Sequence, residues 1–195
     1  MWLLSLEWLL LAVSVFWTLG AFKRLKRLRL QGGQAFAVVD GQFLQVIELL
    51  RSCARIQTLK EKVASVYVQQ AHHALLPSAD LLETALQQAR QHPLKPESIA
   101  ALDSAWQGAQ VAWQAYTQLG QDPSPVHAEH IQEWSQRWQQ LQTLQNHSTS
   151  QFNTAVQAYN AAIAQFPACA VARLGGHRAG RTFQKDAALQ MQPNA

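Results

Sequence analysis

The sequence predicts an all-α protein that opens on a membrane-spanning helix. Three observations carry this. Residues 2–22, WLLSLEWLLLAVSVFWTLGAF, are mostly apolar with Glu7 the one charge, and five cations follow directly: Lys23, Arg24, Lys26, Arg27 and Arg29. The remainder is rich in Ala, Gln and Leu, with few β-branched runs and no strand-like alternation. Apolar residues also recur there at steps of three and four, the signature of one buried helix face.

At about 1.5 Å per residue, residues 2–22 cover about 31 Å, the hydrocarbon thickness of a bilayer. Lys and Arg beside a spanning helix stay in the cytoplasm, so the N-terminus is expected outside and the C-terminal domain inside, with a single pass of the inner membrane. Trp2, Trp8 and Trp17 suit the two interfaces. Glu7 lies close enough to the helix end to reach headgroups. A cleaved signal peptide fits worse, because no basic segment precedes the apolar run.

The net charge of +4 comes from the neck alone. Of 16 Lys and Arg, five lie at 23–29, and of 12 acidic residues one is Glu7, which leaves eleven of each after residue 29. That balance argues against nucleic acid as a partner. The basic neck is a topology signal and a surface for anionic headgroups. Cys53 and Cys169 form no CxxC pair and are expected reduced in a cytoplasmic domain.

Past Gly32-Gly33, which are expected to loosen the helix, the stripe Phe36, Val39, Phe43, Ile47, Leu50, Cys53 permits one helix as far as residue 76. Pro77-Ser78 reads as a breaker before a short helix at 79–91. HPLKP (92–96) is a turn, with Pro96 at a first helical position and Glu97 facing the positive helix end. Helix 97–119 closes at Gly120. The last helix starts at DPSP (122–125), capped by Ser124, and its stripe reaches Phe152, Tyr159, Ile163 and Phe166 before Pro167 stops it. Gly175, Gly176 and Gly180 imply an irregular return over 168–183, and 184–195 reads as a disordered tail.

The run FNTAVQAYNAAIAQFP (152–167) resembles the hallmark of the LemA family, in which two aromatic-Asn pairs precede a Phe-Pro: here Phe152-Asn153, Tyr159-Asn160 and Phe166-Pro167. Ala172, Gly176 and Phe183 fall at that family's closing spacing, and Leu28-Arg29, Ala35-Phe36 and Asp40-x-Gln42 resemble its early positions. The resemblance implies an antiparallel up-and-down four-helix bundle over 34–183, behind an anchor at 2–22 and a neck at 23–33. It places helices at about 34–51, 55–91, 97–119 and 125–166, with a break near Arg51–Ala54. It also implies no established enzymatic activity, and an association with the bacterial cell envelope.

No catalytic constellation stands out. His127, His130 and Glu133 share an arc but lack an HExxH pattern, His72-His73 point apart, and no glycine loop has a Walker or dinucleotide spacing. Asn153 and Asn160, seven apart, are expected to bond a neighbouring helix or the returning tail. The reading at this level is a membrane-anchored scaffold for protein partners, not an enzyme, with no cofactor, no metal, no nucleic acid and no small-molecule substrate. The alternative is a stress or lipid sensor acting through its basic neck and tail.

Overall fold

The computed structural model describes residues 2–58, 66–119 and 125–184, and every described element is helical. The elements are α1 (Trp2–Thr58), α2 (Val66–Gln91), α3 (Pro96–Leu119), α4 (Pro125–Ala164) and α5 (Ala168–Leu174). The expectations that fall on Gly120, Ser124, residues 185–195 and the side chains of His72, His73, His127 and His130 lie outside the described residues.

At about 1.5 Å per residue, α1 is about 86 Å long. It runs without interruption through Gly32-Gly33, expected to loosen it, and through Arg51–Ala54, where a break was expected. Gly32 does not loosen it. A Cβ there would stand 3.1 Å from Leu94 Cδ2, so this glycine lets the α2–α3 turn approach the helix. Arg51–Ala54 stays helical because Leu49, Leu50, Cys53 and Ala54 are all buried and no proline interrupts them. Pro77 lies inside α2 rather than ahead of it. Pro77 is itself exposed, the Ser78 hydroxyl bonds the Leu75 carbonyl at 2.8 Å, and Leu75, Ala79 and Leu82 are fully buried. Packing carries the helix past its proline. The return segment, expected to be irregular, contains α5, which closes at Gly176 in the left-handed conformation, φ 64°.

Ion pairs show how α1 lies against α2. The Arg51 guanidinium donates to Asp80 at 2.7 Å and to Glu83 at 2.6 Å, and Arg90 pairs with Asp40. Low numbers on α1 thus meet high numbers on α2, and the helices run in opposite directions. The α4 helix also opposes α1: Phe36 meets Phe152 and Trp17 meets Phe166, edge to face. The main core lies between these helices and α3. Trp138 stacks on Trp113 with centroids 4.7 Å apart and on Trp106 at 5.5 Å, and Phe43 packs against Trp106. A second, smaller cluster at the neck joins Leu25, Tyr159, Ala162, Ala168 and Ala172.

Candidate functional site

Between the two clusters opens a cleft of about 600 Å³. Four segments distant in sequence form it. The α1 helix contributes Arg29, the last of the neck cations. The α2–α3 turn contributes His92 and Lys95, and α3 contributes Glu97. Tyr159 comes from α4, and His177 and Arg178 come from the returning chain. Gly32 brings the turn against α1, and Arg29 and Lys95 both line the cleft.

The returning chain that brings His177 and Arg178 to the cleft is held by side-chain amides. Asn160 donates from Nδ2 to the Gly180 carbonyl and accepts the Gly180 N–H, both at 2.8 Å. Asn153 treats Phe183 the same way, at 3.1 and 2.8 Å. Each amide pairs with the N–H and C=O of a single residue, as a neighbouring strand would. The spacing of seven puts both on one flank of α4. Gly180 sits in close contact, since a Cβ would lie 3.1 Å from Val156 Cγ1 and 3.5 Å from the Leu94 carbonyl. Phe183 is buried against Phe43 and Phe152. So clamped, the chain presents His177 and Arg178 to the cleft. The Tyr159 hydroxyl lies 3.4 Å from His177 Nδ1. Burial pushes this phenol up from its ordinary pKa, and the Arg29 charge pulls it the other way.

The neck residues Lys23, Arg24, Lys26 and Arg27 are exposed on α1, and only Arg29 of the five lines the cleft. Phe152 lies in the main core and Tyr159 in the neck cluster. Pro167 starts α5 and Gly176 ends it. Phe166 departs from its expected place on the buried stripe: it is 77% exposed, because α4 ends at Ala164 and the ring falls on the turn beyond. The cleft itself has no signature in the linear sequence. HPLKP is readable as a turn, but its proximity to Arg29 and Arg178 is a product of the fold. Among the described residues, no three His, Cys, Asp or Glu side chains converge as a metal site would require.

Residues 5–118 match the family model described as isopentenyl transferase, more than half of the chain. No curated protein and no solved structure matches the chain. The family match overturns the resemblance to the LemA family, and with it several expectations. The reading as a non-enzymatic scaffold for protein partners is corrected, and the lipid-sensor alternative is no better supported. The exclusion of a small-molecule substrate is corrected too, since an isopentenyl group must come from a donor. So is the exclusion of nucleic acid, since a nucleotide or tRNA is an acceptor open to such an enzyme. Composition misled here. The balance of charge after the neck speaks to non-specific polyanion binding, not to a local site.

Proposed function

The chain belongs to the isopentenyl transferase family, and on that premise we propose that it transfers an isopentenyl group from an anionic donor to a nucleophilic acceptor in the cationic cleft. The observation that supports this most directly is the convergence of Arg29, Lys95 and Arg178, with His92 and His177, on one cavity. An isopentenyl carbon becomes an electrophile when its oxygen carries a good leaving group, of which diphosphate is the biological example. The carbon–oxygen bond breaks, the diphosphate leaves with the electron pair, and the acceptor nitrogen or oxygen forms the new bond and gives up a proton. Cations fixed around the leaving oxygens lower that barrier. The sequence has no GxxxxGK[ST] loop, so the task falls to side chains here. Glu97, the carboxylate on the cleft wall, is the base we assign to the departing proton. The acceptor we assign is the base of a nucleotide or tRNA.

The test is formation of labelled product by the full-length protein in nanodiscs, from dimethylallyl diphosphate with AMP or tRNA. Wild type should turn over, and Lys95→Ala and Arg178→Ala should each lose about tenfold or more in rate. Absence of both turnover and diphosphate binding by wild type would sink the reading.

The same proposal carries an architecture and a location. We read 2–22 as the anchor, 23–33 as the neck and 34–183 as the folded body. The part of α1 beyond the neck joins α2, α3 and α4 in an antiparallel up-and-down four-helix bundle. The opposed directions of α1 with α2 and of α1 with α4 support it. Spin labels at Arg55→Cys, exposed on α1 beside the buried Cys53, and at Cys169 should then lie about 40 Å apart by helix rise; a distance near 20 Å would exclude this topology. The body faces the cytoplasm on the strength of the basic neck. A periplasm-specific reporter fused after Ala195 should stay silent, and activity there would reverse the orientation.

A further inference from the structure

We infer that the turn between α4 and α5, with Phe166 at its tip, is a second membrane-inserted element that dips into the bilayer beside α1. This rests on the reading that residues 2–22 span the membrane, and two independent observations carry it further.

The first is depth. Trp17 precedes Lys23, the first neck cation, by about 9 Å along the helix. The Phe166 ring packs edge-on against Trp17, centroids 6.5 Å apart. An exposed phenylalanine alone means little, since apolar side chains are common on protein surfaces. The position of Phe166 is another matter. It lies past the cationic collar, level with the apolar stretch, and both rings are mostly exposed: Trp17 at 57% and Phe166 at 77%. Two aromatic rings that water would meet at that depth meet acyl chains and interfacial groups instead.

The second is charge layering. No Lys, Arg, Asp or Glu occurs between Arg137 and Arg173. Beyond Arg137 the chain descends along the rest of α4 without a charge, turns at Phe166-Pro167, and acquires Arg173, Arg178 and Arg181 once α5 has climbed back to the level of Leu25 and Arg29. The charge order along this excursion repeats that of α1: apolar at depth, basic at the collar. The turn also serves its own backbone. Gln165 N–H bonds the Ala162 carbonyl, Cys169 N–H bonds Gln165, Ala170 N–H bonds Pro167, and Pro167 has no N–H to satisfy. A turn entering the interface needs that internal pairing.

The experiment uses the full-length protein in nanodiscs containing phosphatidylglycerol and doxyl-labelled lipid. An environment-sensitive fluorophore is attached at Phe166→Cys, at Val13→Cys in the apolar stretch, or at Leu144→Cys on the exposed face of α4. Each variant carries Cys169→Ser, and the remaining Cys53 is buried. Quenching at 166 should be several-fold above that at 144, and strongest with doxyl near the headgroup. Quenching at 13 but not at 166 would leave the anchor standing and overturn the inserted turn. Quenching at neither would remove the spanning reading and the turn together.

Discussion

The two apolar clusters are built from different materials. The main core uses large rings: Phe36, Phe43, Trp106, Trp113, Trp138, Phe152 and Phe183. The neck cluster uses three alanines with Leu25 and Tyr159. Large rings remove much area from water, which is where burial stabilises most. Alanines remove little, but they let backbones approach closely. The difference teaches that one end of the molecule is held by the hydrophobic effect and the other by proximity. The cleft opens where the two regimes meet.

The largest effect should come from cutting a ring out of the main core. Phe152 is fully buried between Phe36 and Phe183. Phe152→Ala should cost about 3–5 kcal/mol, read by chemical denaturation. Ala162→Gly in the neck should cost only about 1 kcal/mol, mostly from helix propensity. Equal losses would dissolve the distinction between the clusters.

A second contrast is alkaline. Burial pushes the Cys53 thiol from 9.0 up to about 12 and the Tyr116 phenol from 10.0 up to about 12. Both sit in the main core. Well below pH 9 both are neutral whether the chain is folded or not, and their contribution is fully present. Above it the unfolded chain sheds these protons while the folded chain holds them, so stability falls between about pH 9 and 12. Thermal melts across that window should show the decline. In Cys53→Ala it should begin nearer pH 10, where Tyr116 alone remains. A melt flat to pH 12 would mean that the core admits water.

How much of this is legible in the sequence follows from the range of the interactions. Helical class, the apolar stretch, HPLKP and the extent of α3 depend on neighbours within a few residues, and local patterns report them. Pro77 deceived because its cost is local while the packing of Leu75, Ala79 and Leu82 that offsets it is not. Gly32 reads as a flexible joint, and its contact with Leu94 is invisible before the turn folds back. Phe166 continues a stripe by arithmetic, yet the helix carrying that stripe ends two residues earlier. The cleft could not be read at all, since Arg29, Lys95 and Arg178 are brought together only by the fold. The family was misread because the Asn-bearing run lies after residue 118, outside the segment that matches.

The two asparagine clamps have the same chemistry and different surroundings. Asn153 holds Phe183 in the main core, whereas Asn160 holds Gly180 beside the cleft wall. Each loses two hydrogen bonds on truncation, about 1–2 kcal/mol of tail docking by either change. Protease sensitivity around Gly175–Gly180 should therefore rise in both variants. Binding of pyrophosphate, followed by calorimetry, should weaken several-fold in Asn160→Ala and hardly at all in Asn153→Ala. Equal weakening would mean that the returning chain docks as one unit.

The smallest effect is expected at the most conspicuous ion pair. Arg51 bridges Asp80 and Glu83, and those hydrogen bonds raise its pKa above the ordinary value. Titration of the arginine itself lies beyond any working pH, so it adds no slope near neutrality. The pair also faces solvent, with the Asp80 side chain 64% exposed, where screening and side-chain entropy take back most of the Coulomb energy. Arg51→Ala should cost less than about 1 kcal/mol in urea, and the loss should shrink further in 1 M salt. Its helix neighbours Leu50 and Ala54 are fully buried, so the α1–α2 register stays set by apolar packing. A loss approaching that of Phe152→Ala would show instead that the charge network sets the register at this end of the molecule, and that the large rings only fill the space it encloses.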